Sequence, residues 1–140
     1  MTLERFFAGQ DESWRIFDAL RLAVATIGHA ELQLRVTKSQ VAFRRRRPFA
    51  WAWMPGMYLQ RPRPTPLTEG GQGGIPATLP PRYAPLVLTV ALRRRDPSPR
   101  WKEVVEPAPG RFTHHLELRS AAEIDDEVRA WLREAWEAAG

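Results

Sequence analysis

A chain of 140 residues and 16.1 kDa has room for one domain and little else, and its 44% hydrophobic content is too high for a disordered polymer. The formal charge is +5 and there is no cysteine, which excludes a disulfide framework, a thiolate metal site and a cysteine nucleophile. No apolar run reaches the roughly 20 residues of a membrane span, and the start lacks the basic-then-apolar layout of a secretory signal, so the expectation is a cytoplasmic protein with no membrane partner.

From Asp11 to Ile27 the pattern is helical: Phe17, Leu20, Val24 and Ile27 recur at three- and four-residue steps, with Trp14 one turn earlier. Asp11 or Ser13 is suited to cap the start, and Gly28 to stop the helix, because glycine tolerates the left-handed conformation common there.

A block of strands follows. Leu32, Leu34 and Val36 alternate with Gln33 and Arg35, and Val41 and Phe43 take one side of the next segment. After the basic turn Arg44 to Pro48, simple alternation puts Phe49, Trp51 and Trp53 on the buried side, opposite Ala50, Ala52 and Met54. The stretch from 55 to 85 holds eight Pro and five Gly with no apolar period, and reads as a loop insertion, either a passive one or a lid. Leu86 to Leu92 is apolar on both parities and suits a central strand. Trp101 to Val105 is a short strand, and from Phe112 to Leu118 apolar residues and His114 alternate with Thr113, His115 and Glu117.

The chain closes on a second helix. Ser120 and Glu123 have capping-box spacing, acids crowd the first turns, and Ile124, Val128, Trp131, Leu132 and Ala135 form an apolar stripe. Helix, strands, helix predicts a single α+β domain over residues 1–140. Its antiparallel sheet of four to six strands is flanked by an N-terminal and a C-terminal helix packed on one face. The expected core is Phe17, Leu20, Val24, Phe43, Trp51, Trp53, Leu88, Leu116, Val128 and Trp131.

The charge is uneven: net −2 over residues 1–34, +11 over 35–111 and −4 over 112–140. A basic block suits an anionic partner. Acidic ends folded beside it would neutralise it instead, and that is the expectation taken.

Two stretches, TKSQVAFRRRRPFAWAW (37–53) and DPSPRWKEVVEPAPGRFTHHLELRSAAEIDDEVRAWLREAW (96–136), resemble the bacterial domain of unknown function family numbered 5655. Thr37, Lys38, Phe43, Arg44, Ser98, Arg100, Gly110, Phe112, His114, His115, Asp125 and Trp131 fall on the pattern of that family. The resemblance implies a fold and a bacterial origin, and no biochemical role.

His114 and His115 are adjacent on a strand and point to opposite faces, so they do not chelate one metal together, and no other metal or cofactor spacing is present. His114 shares its face with Phe112 and Leu116. His115 stands on the other face with Thr113, where it is expected to meet Arg44, Thr89 or Arg93 over a floor of Ala42, Ala50, Ala52 and Ala91. Such a set suits an anion, because guanidinium forks match carboxylate and phosphate geometry. Lys38 sits in a turn where Thr37 or Ser39 caps the backbone. Lys102, Glu103 and Glu106 lack the upstream Asp of a nuclease-like cluster, and Ser98 and Ser39 lack a nucleophile elbow.

These features describe a non-enzymatic module that binds an anionic or polar small ligand, or a protein partner, through Arg44, His115, Lys38 and His114 on or beside an open sheet face. A second copy covering that face would make a homodimer. The alternatives are a small enzyme with His115 or His114 as general base and, more weakly, nucleic-acid binding through the Arg-rich turns.

Overall fold

The computed structural model describes residues 1–56 and 83–140. Most of the Pro/Gly-rich segment, residues 57–82, with its reading as insertion or lid, lies outside them.

The predicted α+β layout is present. A short helix α1 (Leu3–Phe6) leads into α2 (Asp11–Gly28), six strands follow, and α3 (Asp126–Ala138) closes the chain. The strands are β1 (Gln33–Val36), β2 (Val41–Arg44), β3 (Pro48–Trp53), β4 (Leu86–Leu92), β5 (Glu103–Ala108) and β6 (Arg111–Leu118). They form one sheet in the order β1-β2-β3-β4-β6-β5, antiparallel throughout. β4, apolar on both parities, is central as its sequence implies. β5, which carries Pro107, lies at an edge, where a missing N–H disturbs no inner ladder.

α2 and α3 pack side by side on one face, and the core lies between them and the sheet: Phe17, Leu20 and Val24 from α2, Val128 and Leu132 from α3, and Val41, Phe43, Leu88, Val90 and Leu116 beneath. Phe17 stacks on Phe43 at 5.9 Å between ring centroids.

The face of β3 is the opposite of the one alternation predicts. Phe43 pairs with Ala50, but Arg44 pairs with Pro48, so Phe49 is an extra residue in β3. This β-bulge interrupts the alternation. Phe49 turns to the helix side, where its ring meets Trp136 at 5.5 Å. Ala50 and Ala52 then also face the helices and are fully buried, opposite Phe43 and Val41. Trp51 and Trp53 therefore leave the core for the helix-free face and stay partly exposed. Two expectations are overturned together: the indoles are not core, and Ala50 and Ala52 are not part of the outer floor.

Three terminus readings also change. Gly28 has φ −99°, an ordinary value, and the left-handed residue is His29 at φ 49°. Glycine at 28 is required by space: a Cβ there would lie 2.7 Å from the Trp136 ring. Ser13 does not cap α2; buried, it donates to the Pro85 carbonyl at 2.7 Å and ties the helix to the entry of β4. α3 begins later than the Ser120–Glu123 box, with Asp125 accepting from the Val128 amide at 3.1 Å, while Glu123 closes a turn by accepting from Arg119 N–H.

Candidate functional site

The sheet register lays the helix-free face out in rows. One row runs Arg35, Ala42, Trp51, Thr89, His115, Glu103 across all six strands. The next holds Trp53, Val87 and Glu117. Among the described residues, Gln40, Trp51, Trp53, Thr89, Thr113 and His115 line an open groove of about 640 Å³ on this face.

A hydrogen-bond relay fixes the groove's polar groups. Trp53 Nε1 donates to Thr89 Oγ1 at 3.1 Å, and Thr89 Oγ1 lies 2.8 Å from His115 Nδ1. The indole N–H takes one lone pair of Thr89 Oγ1, and the hydroxyl shares a further hydrogen bond with His115 Nδ1, which orients the imidazole with Nε2 turned away from Thr89. The Trp53 ring stands edge-on to the imidazole at 6.2 Å. Burial pushes the His115 pKa below the ordinary histidine value against the opposing charge of Glu103, so the ring is neutral at pH 7. His115 Nε2 and the indole N–H of Trp51 have no hydrogen-bond partner among the described residues.

The other candidate residues separate. Arg44 belongs to the next row toward the basic turn, paired with Gln33 and Pro48. It is three strands from His115, about 14 Å at ordinary strand spacing, so the two do not meet as expected. Lys38 is exposed in the β1–β2 turn, where Thr37 Oγ1 accepts from the Ser39 and Gln40 amides. His114 points the opposite way into the core and is fully buried. Its Nε2 accepts from the Asp96 amide at 3.0 Å, its Nδ1 lies 3.2 Å from the Phe112 carbonyl, and burial depresses its pKa. It is out of reach of a ligand in the groove. Trp51 and Trp53 are the groove residues that sequence reasoning missed, and the signal that would have found them is the two adjacent alanines, too small to fill a core layer.

The family-patterned residues around His114 form a clamp. Asp96 accepts from Trp101 Nε1 at 2.9 Å, from the Ser98 amide at 3.1 Å and from Arg94 at 2.8 Å. Burial alone would raise the Asp96 pKa, but these donors together hold it below the usual carboxylate range. Trp101 packs between His114 at 4.8 Å and Trp131 at 4.1 Å. Arg100 reaches the start of α3, donating to Asp125, Glu127 and the Glu123 carbonyl at 2.8–3.0 Å. These contacts join the β4–β5 connection to the last helix.

The arginine runs are largely used inside the fold. Arg45 Nη1 and Arg47 Nη2 donate to the Trp136 and Ala138 carbonyls, and Arg93 Nη2 also reaches Ala138. These acceptors are carbonyls in the last turn of α3, where cations oppose the partial negative charge. Arg45 also lies 4.6 Å over the Trp136 ring, and Arg94 makes a two-pronged pair with Glu134 at 2.8 and 2.9 Å. The acidic ends thus meet much of the basic middle.

The description Domain of unknown function (DUF5655) matches residues 3–61 and 77–139 of the chain. The protein belongs to the DUF5655 family. The match omits residues 62–76, inside the Pro/Gly-rich segment. No curated protein and no solved structure matches the chain. Many of the residues carrying the sequence resemblance, among them Ser98, Arg100, His114, Asp125 and Trp131, lie in or against the clamp, which accounts for a shared pattern by architecture. No helix among the described residues is long and apolar enough to cross a membrane.

Proposed function

We propose that this DUF5655 protein is a non-enzymatic binding module whose groove on the helix-free face takes a polar ligand carrying a flat ring. The carrying observation is the Trp53–Thr89–His115 relay, which holds a neutral imidazole with its Nε2 edge beside two partly exposed indoles. Indole faces favour flat rings, and fixed donors orient a ring's polar edge. Among the described residues no cation lines the groove, which favours the polar half of the anionic-or-polar reading. Arg35, at the end of the same row, and Arg44 and Lys38 beyond it supply charge only at the margin.

The relay also weighs against the enzymatic alternative. A histidine general base is ordinarily oriented by a carboxylate at its second nitrogen, whereas here His115 Nδ1 meets the Thr89 hydroxyl. Nucleic-acid binding through the basic turn is disfavoured because Arg45 at its centre is bonded to the Trp136 carbonyl and paired with Glu31, and Trp51 and Trp53 lie in the groove with no cation beside them among the described residues.

The test is a thermal-shift and fluorescence titration with free nucleosides and monosaccharides. A ring ligand should raise the melting temperature of the wild type and leave Trp51→Ala and His115→Ala unshifted, with both variants folded. Equal shifts in the variants, or none in the wild type, would overturn the reading. Consumption of a probe by the wild type and not by His115→Ala would favour the enzyme.

A further inference from the structure

At the end of the sheet where β3 and β6 begin and β4 ends, a second cavity of about 320 Å³ lies against the last turn of α3. Arg47, Arg93 and Arg111 stand around it, with Ala91, Pro109 and Gly110 among its walls. Arg47 and Arg93 both donate to one acceptor, the Ala138 carbonyl, at 3.3 and 3.1 Å. Two guanidinium groups are therefore held side by side, each with donors left over. None of the three arginines forms an ion pair among the described residues, although Arg45, Arg94 and Arg100 on the same segments do. No acid is among the lining residues described, and Glu106 of the adjoining β5–β6 hairpin is engaged by the Gly110 amide at 3.0 Å.

Like charges gathered without a counter-charge raise the affinity for an anion, and guanidinium forks match the tetrahedral oxygens of phosphate. We propose that this cavity is a binding site for a phosphate group, separate from the groove of the helix-free face and independent of what the groove binds. A cavity of about 320 Å³ ringed by three guanidinium groups suits a small phosphate or phosphate monoester; a nucleic-acid backbone would ask for an extended basic track.

Inorganic phosphate and glucose 6-phosphate, each titrated calorimetrically against chloride of equal ionic strength, test this directly. Either probe should bind in excess of chloride, and the tighter of the two identifies free phosphate or monoester as the occupant. Arg111→Ala, which removes no side-chain hydrogen bond or ion pair among the described residues, should weaken binding tenfold or more, and Arg93→Ala likewise. Arg35→Ala, on the far edge of the sheet, should bind as the wild type does. The proposal fails if phosphate binds no better than chloride, if Arg111→Ala binds as tightly as the wild type, or if a DNA duplex binds more tightly than both probes with a steep salt dependence.

Discussion

The imidazole of His114 accepts the backbone N–H of Asp96 across 18 residues of chain, at 3.0 Å and in the interior. Asp96 in turn gathers Trp101, Ser98 and Arg94 on its carboxylate, so one side chain of β6 fixes the whole β4–β5 connection.

Replacing that imidazole leaves a buried amide without an acceptor and a void beside Trp101. His114→Ala should lose about 2–4 kcal/mol of stability. His114→Gln, which restores an acceptor, should recover part of it. Urea melts of the three proteins measure this, and a loss under about 0.5 kcal/mol would show that the amide finds another partner.

Both His114 and His115 have pKa values depressed by burial. The unfolded chain then binds more protons than the folded one once pH drops through the ordinary histidine value near about 6.5. Their stabilisation is complete above that pH and is lost as pH falls toward the depressed folded values. Urea midpoints should thus decline from pH 7.5 to pH 5, and the decline should be shallower in His114→Gln. A flat profile in the wild type would contradict the assignment.

Gly28 and His29 form a pair in which the residues stand the wrong way round for backbone preference. Gly28→Ala places a methyl group against the Trp136 ring and should cost about 1–3 kcal/mol. His29→Gly relieves a side chain at φ 49°, ψ −132°, and should gain about 1 kcal/mol. Thermal denaturation resolves the two signs, and a stabilising Gly28→Ala would mean that Trp136 moves aside freely.

The two faces of β3 respond oppositely to size. Ala52→Leu forces bulk between sheet and helices and should cost about 1–3 kcal/mol. Trp51→Ala, on the other face, should cost less than Ala52→Leu. The reverse order in denaturant melts would restore the face assignment that alternation suggests.

The architecture is legible in the sequence because its signals are local. Helix periods in α2 and α3 and period two in β2 and β6 each name their own element, and the doubly apolar Leu86 to Leu92 names the centre. What escapes is whatever depends on one extra residue or on a distant partner. Nothing in PFAWAW marks Phe49 as unpaired, and the polarity of Arg45 and Arg47 gives no sign that their donors end on α3 carbonyls 91 residues away. Of the proposed contact residues, His115 is on the face that parity assigns it, while Arg44 shares the parity but not the neighbourhood. Parity chooses a face; strand order decides who stands next to whom.

The extra residue at Phe49 works as a frame shift in the reading of β3. Because the strand changes phase there once, the same six residues supply an aromatic to the interior at one end and two aromatics to the exterior at the other. Deleting Phe49 would remove the bulge and bring Pro48 and Ala50 into unbroken alternation opposite Arg44 and Phe43, leaving both indoles outward but taking from the interior the ring that meets Trp136. A strand composition that looks interchangeable is thus committed to one phase by its pairing with β2 and β4, and the extra residue serves to carry one more ring inward.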